Sequence, residues 1–195
     1  MKQYADDAAD LMDKLRLPVL PVMGVSFGGM VAQELAIRYP HKVSKLVLAC
    51  TSSGGKGGSS YPLHNLQELE EEKKLEASIM INDLRITESW TKENPVEWEK
   101  IKEISSSRIQ YQPQQEGLMN QLMARKEHDT SQRLSDITVP VLLLGGKYDG
   151  IAPSENMEFL NKKITSSTLK LYEGGHLFLI QDKQAFKDII SWLIQ

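Results

Sequence analysis

The sequence predicts an α/β protein in which a mostly parallel sheet is flanked by helices, with an all-helical insertion in mid-chain. Three observations support this prediction. Short apolar runs alternate with amphipathic stretches in the first and last thirds of the chain, as in βα units. A glycine-bounded turn, Gly24–Gly28, separates one apolar run from the stretch after it. Between residues 61 and 130, β-branched runs vanish while Glu, Lys and Gln become frequent.

The first third of the chain is predicted to fold as helix, strand, helix and strand. The first helix has an apolar face at helical spacing, formed by Tyr4, Ala8, Leu11, Met12 and Leu15. The run 19–23 is typical of a buried parallel strand. Pro21 weakens that prediction, because proline removes a ladder hydrogen bond and prefers sheet edges. A helix is then predicted over 30–39 and a strand over 43–49.

The insertion and the last third of the chain complete the predicted order. Within the insertion, helices are predicted over 68–80, 96–105 and 115–125. After it, strands are predicted over 139–144 and 168–172, and helices over 154–163 and 183–193. We therefore predict a core formed by residues 1–60 and 131–195, and a helical cap formed by residues 61–130.

Composition and charge exclude several classes of protein. The net charge of −3 argues against a nucleic-acid binder, which needs a concentrated basic face. The single cysteine, Cys50, cannot form an intrachain disulfide, so a reducing compartment is expected. The first residues are polar and acidic, unlike a signal peptide, and no apolar run approaches the roughly 20 residues that cross a bilayer. We expect a cytoplasmic protein without a membrane partner.

The turn at Ser26 carries the strongest chemical signal. Residues 24–28 match the pattern Gly-x-Ser-x-Gly and lie between a predicted strand and a predicted helix. We interpret Ser26 as a nucleophile, because such a sharp turn lifts the hydroxyl above the carboxyl edge of the sheet. The amide of Phe27, at the helix start, would point toward a developing oxyanion. The alternatives are a glycine-rich turn that only packs tightly, and a phosphate loop, whose spacing is not matched.

A serine nucleophile needs a base, and that base needs an orienting carboxylate. Asp149 follows the third predicted strand, and His176 follows the fourth. Carboxyl ends of parallel strands share one edge, so we expect serine, aspartate and histidine to meet there in that chain order. Taken singly, Asp149 could cap the next helix and His176 could be a solvated loop residue. The remaining histidines lack this placement and are expected at the surface: His41, His64 and His128.

These segments together resemble the α/β-hydrolase superfamily over nearly the whole chain. Residues 24–40 and 43–50 resemble its nucleophile turn, helix and next strand, and residues 139–153 resemble its acid-bearing segment. The Gly-Gly-His segment at 174–176 and the closing helix resemble its C-terminal end. Within the superfamily, the chain is most similar to small capped esterases and enol-lactonases of the 3-oxoadipate type.

The resemblance implies a serine hydrolase that cleaves a small carboxylic ester or lactone through an acyl-enzyme. It assigns Ser26 as nucleophile, His176 as general base and acid, Asp149 as orienting carboxylate and the Phe27 amide as oxyanion donor. It implies no cofactor and no metal. C–C hydrolases, thioesterases and perhydrolases share the same triad and stay open as alternatives, as does a non-catalytic ligand-binding protein on this scaffold.

One departure from the family concerns the segment before Ser26. In the family, several strands and a loop with a second oxyanion donor precede the nucleophile turn, whereas here 25 residues do. We therefore expect an N-terminally truncated form of the fold with weak activity. The apolar strand at 19–23 would become a sheet edge, through which the chain is expected to self-associate.

The helical insertion is expected to close over a substrate pocket and exclude water. Met119, Leu122 and Met123 belong to an apolar stripe in its last predicted helix, and Leu177 follows His176. We expect these four residues to contact the substrate, with packing inside the cap as the alternative for the stripe. Methionine adapts its shape easily, so such a wall would accept varied apolar groups.

Overall fold

The computed structural model describes residues 1–58, 60–107 and 115–195. Within these residues, one parallel sheet has the strand order β1-β2-β3-β4. Its strands are β1 Leu20–Val25, β2 Val43–Ala49, β3 Val141–Gly146 and β4 Ser167–Tyr172. This arrangement confirms the predicted α/β class and the parallel sheet flanked by helices.

Nine helices are present in the described residues. They are α1 Lys2–Lys14, α2 Phe27–Arg38, α3 Glu71–Asn82, α4 Glu88–Glu93, α5 Pro95–Ser107, α6 Gln115–Lys126, α7 Ser154–Lys163, α8 Phe178–Gln181 and α9 Lys183–Ile194. The sequence analysis did not predict α4 and α8, because six and four residues are too few to show a helical period. None of the helices described is both long and apolar enough to span a membrane.

One face of the sheet packs against α1, α2 and α7. Leucines of the two central strands meet small or aliphatic side chains of these helices in one buried cluster, which includes Ala9, Leu35, Leu46, Leu48, Leu143 and Leu160. The buried face of α1 agrees with the predicted one only in part: Met12 is buried as predicted, whereas Leu11 and Leu15 are exposed and Ala5 and Ala9 are buried instead. The buried alanines of α1 and α2 let these two helices approach closely. Leu11 and Leu15 of α1 lie away from this contact, at the surface.

The opposite face of the sheet packs against α8 and α9. Its buried cluster joins the central strands and β4 to these helices, and it includes Val47, Leu142, Leu144, Tyr172, Phe178 and Ile189. The central strands therefore have apolar side chains on both faces, and every residue of β3 is buried. Continuous burial of this kind is typical of parallel strands between two helical layers.

Strand β1 lies at one edge of the sheet. It pairs with β2 and with no other strand of the described residues. The register shifts between Leu20 and Pro21, so the proline stands at an irregular position of an edge strand, where its missing N–H is tolerated. Met23 and Val25 keep 39% and 41% of their surface exposed on the face that α9 leaves uncovered.

The segment between β2 and β3 holds α3 to α6. Helix α3 contacts α5, and α4 contacts α5. The two ends of the segment meet beside the sheet, where Gly54 and Asp129 form an isolated antiparallel bridge. Ser59, in the predicted core, and residues 108–114, in the predicted cap, lie outside the described residues.

Candidate active site

Ser26 is the single residue between β1 and α2. Its φ of 52° and ψ of −115° lie in a region that residues with a Cβ rarely occupy. Neighbouring backbone holds the turn in place: the Ser26 amide donates to the carbonyl oxygen of Ala49 over 2.8 Å. The Thr51 hydroxyl donates to the Ser26 carbonyl oxygen over 2.8 Å. Such locally strained backbone persists where surrounding contacts over-determine it, as at the sharp turn of a nucleophile.

Asp149 lies in the loop after β3, with 2% of its surface exposed. Its Oδ1 accepts hydrogen bonds from the amides of Ile151 and Ala152, each over 2.8 Å. Its Oδ2 lies 2.8 Å from Nδ1 of His176. One carboxylate oxygen therefore holds the loop in shape, and this leaves the other for the imidazole.

His176 lies in the loop after β4 and contacts both other residues. Its Nε2 lies 2.9 Å from Oγ of Ser26, while its Nδ1 contacts Asp149. Gly174 has a φ of 155°, a backbone conformation that side chains with a Cβ rarely adopt, and lets this loop fold back over the sheet edge. The structure thus brings the three predicted residues into one chain of contacts, hydroxyl to imidazole to carboxylate.

The C-terminal end of α3 holds the loops of Asp149 and His176, and the sequence analysis did not identify it. The carbonyl oxygen of Ile81 accepts from the amide of Gly150 over 3.0 Å. The next carbonyl oxygen, of Asn82, accepts from the amide of His176 over 2.6 Å. The last carbonyls of a helix have no acceptor role inside the helix, so they are free to bind these loops. No side-chain pattern marks such a contact in the sequence.

A chain of side-chain contacts links the same helix end to the histidine loop. Oδ2 of Asp83 accepts from Nε2 of Gln181 over 3.0 Å, and Oε1 of Gln181 accepts from the amide of Gly175 over 2.8 Å. Arg85 donates to both carboxylate oxygens of Asp83. Burial raises the pKa of Asp83, but the hydrogen bonds from Arg85 outweigh burial and leave that pKa below its ordinary value.

Phe27 is the first residue of α2. A helix-initial amide has no acceptor within its own helix, so the Phe27 N–H is available beside Ser26. The Phe27 ring packs edge-on against Tyr4 of α1, with ring centres 5.2 Å apart. The first helix thus supports the turn that carries Ser26.

The four residues expected to contact substrate occupy different places. Leu122 lines a cavity of about 210 Å³ together with Met30, one helical turn after Ser26. Met123 lines a separate cleft beside α1, while Met119 and Leu177 are each 43% exposed. Of the apolar stripe on α6, only Leu122 faces the cavity beside α2.

The expectation that His128 is a surface residue is wrong. Only 5% of its surface is exposed, because the end of α6 and the returning chain cover it. In the sequence, His128 lies near the junction of cap and core, where an exposed connection is expected. In the structure, both ends of the insertion pack together at this junction. Burial lowers the pKa of His128 to about 4.

Three side chains near Ser26 have the geometry of a metal site. Among the residues the structure covers, the ligand atoms of Cys50, Asp149 and His176 lie within 4.8 Å of one another. Burial and the Asp149 charge raise the pKa of the Cys50 thiol to about 12, so the thiol stays protonated at neutral pH. Nδ1 of His176 contacts Asp149, and Nε2 of His176 contacts Ser26. Because a metal needs a free imidazole nitrogen, His176 is not available to one while its contacts to Ser26 and Asp149 are in place.

The fold agrees with the comparison to known families. The chain belongs to the alpha/beta hydrolase fold family, whose profile matches residues 1–183. This confirms the resemblance stated from the sequence.

The curated relatives include hydrolases of several kinds. The chain is 28% identical over 190 residues to 3-oxoadipate enol-lactonase 2 of Acinetobacter baylyi, an alignment that covers 97% of this chain and 68% of the relative. It is 26% identical to a pimeloyl-[acyl-carrier protein] methyl ester esterase of Hamiltonella defensa, over 89% of this chain and 68% of the relative.

Solved structures show the same fold. An enol-lactonase from Burkholderia xenovorans superposes with a TM-score of 0.76 at 20% identity, covering 99% of this chain and 72% of that one. An esterase from Exiguobacterium antarcticum superposes with a TM-score of 0.74 at 21% identity, covering 98% and 72%. The chain thus spans about 70% of the length of these proteins.

Proposed function

We propose that this chain is a serine hydrolase that cleaves a small carboxylic ester or lactone through an acyl-enzyme. One observation carries the proposal: Nε2 of His176 lies 2.9 Å from Oγ of Ser26, and Nδ1 lies 2.8 Å from the Asp149 carboxylate. This is the contact sequence of a nucleophile, a general base and an orienting acid. The enol-lactonase and esterase relatives support the choice of substrate class.

In the proposed first step, Oγ of Ser26 attacks the carbonyl carbon while Nε2 of His176 accepts the hydroxyl proton. The resulting oxyanion collapses, the C–O bond to the leaving alcohol breaks, and His176 returns the proton to that alcohol. Water then attacks the acyl-enzyme with the same base, which releases the acid and restores the Ser26 hydroxyl. Asp149 holds the imidazole in orientation and stabilises its charged form.

The amide of Phe27 is the proposed oxyanion donor, because it follows the nucleophile directly and starts α2. It is the one donor that we assign among the described residues. Loss of one oxyanion donor costs about 10²- to 10³-fold in turnover in serine hydrolases, so the Phe27 amide is expected to contribute on that scale.

We propose that residues 61–130 form a cap over this site. The carbonyls at the end of α3 bind both loops that carry Asp149 and His176, so the insertion sits against the site. Leu122 of α6 faces the cavity next to Met30. A cap in this position would exclude water from the acyl-enzyme. Contact of substrate with Met119, Leu122, Met123 and Leu177 stays a prediction, supported best for Leu122.

Self-association through β1 is proposed as a property of this chain. The outer backbone groups of β1 are unpaired within the described residues, and two identical edges can pair about a two-fold axis. Met23 and Val25 would add apolar contact area beside such a pairing. A second copy of the chain is therefore the proposed partner of the edge. The cytoplasmic location expected from the sequence stays a prediction.

Hydrolysis of p-nitrophenyl acetate and labelling by a fluorophosphonate probe test the proposed reaction. Wild type should hydrolyse the ester and become labelled, whereas Ser26→Ala should do neither. Ser89→Ala, which removes an exposed hydroxyl on α4, is the matched control and should behave as wild type. Equal background rates for wild type and Ser26→Ala, without labelling, would favour the non-catalytic ligand-binding alternative. Labelling of Ser26 without ester hydrolysis would favour a C–C hydrolase, thioesterase or perhydrolase.

A further inference from the structure

The cavity of about 210 Å³ between α2 and α6 is lined on one side by positively charged and polar side chains. Arg125 and Lys126 come from the end of α6, His128 from the segment after it, and His64 from the chain before α3. Among the residues that line it, none is acidic. This composition differs from an apolar pocket, and it indicates a ligand that carries negative charge.

The guanidinium of Arg125, a half-buried residue, lies in the wall of this cavity without a counter-charge. Its Nη1 donates to the carbonyl oxygen of Tyr61 over 2.6 Å, while its Nη2 is buried and has no hydrogen-bond partner. No carboxylate of the described residues forms an ion pair with it. A buried charge without a partner is unfavourable, so an anion in the cavity would remove this cost.

His128 is a second unpartnered group in the same wall. It is 5% exposed, and both ring nitrogens are buried with no hydrogen-bond partner. The nearby Ser52 carbonyl favours the charged imidazole, but it does not lie in hydrogen-bond geometry, and burial dominates. At neutral pH the ring is therefore neutral and has one N–H to donate. Buried polar groups in folded proteins almost always have a hydrogen-bond partner. Arg125 and His128 therefore offer unused donors to a ligand in this cavity.

The cavity reaches α2 one helical turn after Ser26, although Ser26 itself does not line it. Met30 lines the cavity, and its amide donates to the Ser26 carbonyl oxygen over 3.4 Å, one helical turn from the nucleophile. We propose that this cavity binds the carboxylate of an acid-bearing ester or lactone, with Arg125 as the principal contact and His128 as a second donor. This inference rests on the proposed function, since it names the substrate class of the same site. The planar fork of a guanidinium matches the two oxygens of a carboxylate.

Equilibrium binding to the Ser26→Ala protein tests the inference without requiring hydrolysis. The probes are monomethyl succinate, glutarate and adipate, each compared with its dimethyl ester by titration calorimetry at pH 7. At least one half-ester should bind about tenfold or more tightly than its diester. Adding Arg125→Gln should lower the affinity for that half-ester about tenfold or more, because it removes a charge-assisted hydrogen bond. Arg125→Lys keeps the positive charge but loses the planar guanidinium, so it should restore part of the affinity for the half-ester.

Arg16→Gln is the matched control, because it removes a guanidinium that does not line the cavity. It should leave the half-ester affinity unchanged, and an effect as large as that of Arg125→Gln would overturn the site. Equal affinity for half-ester and diester would overturn it as well, whether or not Arg125→Gln folds. Acetate and inorganic phosphate form a second arm: if either binds as tightly as the half-ester, the cavity takes free anions and the substrate assignment is wrong. Selective half-ester binding together with a failed labelling test at Ser26 would reject the proposed reaction and keep the anion site.

Discussion

A Cβ on Gly24 would collide with the carbonyl oxygen of Gly28 and would lie 2.7 Å from Cα of Gly29. The end of β1 and the first turn of α2 therefore lie so close together that position 24 has no room for a side chain. A Cβ on Gly28, by contrast, would meet nothing within 4 Å. The two glycines of the Gly-x-Ser-x-Gly pattern thus have different roles, and only the first is required by backbone packing.

Substitution at these two glycines should have unequal effects on stability. Gly24→Ala should lower the free energy of unfolding by about 2 to 3 kcal/mol or more, because helix and strand must separate to admit the methyl group. Gly28→Ala should change it by less than about 1 kcal/mol, with a gain expected because alanine favours the helix. Urea unfolding of both variants measures the difference. Equal midpoints would contradict the close packing of β1 on α2.

Gln181→Ala should slow the reaction of Ser26 without unfolding the protein. The substitution removes the acceptor of the Gly175 amide and the donor to Asp83, so the His176 loop loses a support. We expect the rate of fluorophosphonate labelling to fall about tenfold, since small errors in the placement of a base are costly. Gln184→Ala, on the exposed side of α9, is the control and should label as wild type. An unchanged rate in Gln181→Ala would remove Gln181 as a positioning residue.

His128 should make the folded state less stable as the pH falls from about 6.5 to about 4. Burial lowers its pKa to about 4, against the attraction of Glu34 and together with repulsion from the N-terminal amine and Arg133. The unfolded chain binds this proton near pH 6.5, so stability is present above that pH and is lost as the pH falls toward the folded pKa. Once the folded protein also binds the proton, the free energy of unfolding has fallen by about 3 kcal/mol.

Comparison with His128→Gln isolates this contribution from the many carboxylates that also titrate in acid. The stability difference between wild type and His128→Gln should shift by about 3 kcal/mol between pH 7 and pH 4, in favour of the variant. His41→Gln, at an exposed position, should show no comparable shift. Parallel stability curves for wild type and His128→Gln would contradict a neutral buried imidazole.

A charge on the outer face of β1 should weaken self-association. Met23→Lys places an ammonium on the exposed apolar side of the edge strand, and edge lysines prevent strand pairing between chains. Light scattering should give a mass above that of one chain for wild type and a lower mass for the variant. Val96→Lys, on exposed α5, should leave the mass unchanged. A wild-type mass equal to one chain at high concentration would reject self-association.

The sequence alone predicts the order of the strands and of the longer helices, and the likeness to α/β hydrolases, because apolar periodicity and the Gly-x-Ser-x-Gly turn are local features. It also pointed to Ser26, Asp149 and His176, since the carboxyl ends of parallel strands share one edge of a sheet. Pro21 is unfavourable in a central strand, and the structure places β1 at the edge of the described sheet, where proline is tolerated.

How the helical insertion meets the site depends on contacts between distant parts of the chain. The carbonyls of Ile81 and Asn82 hold the loops of the acid and the base, and any residue type supplies such a carbonyl, so no sequence pattern marks it. The burial of Arg125 and His128 in one cavity wall arises from the packing of α6 against residues far away in the chain. Local sequence patterns indicate which face of a helix or strand is apolar. The partner of a buried charge, by contrast, depends on which distant segments pack around it.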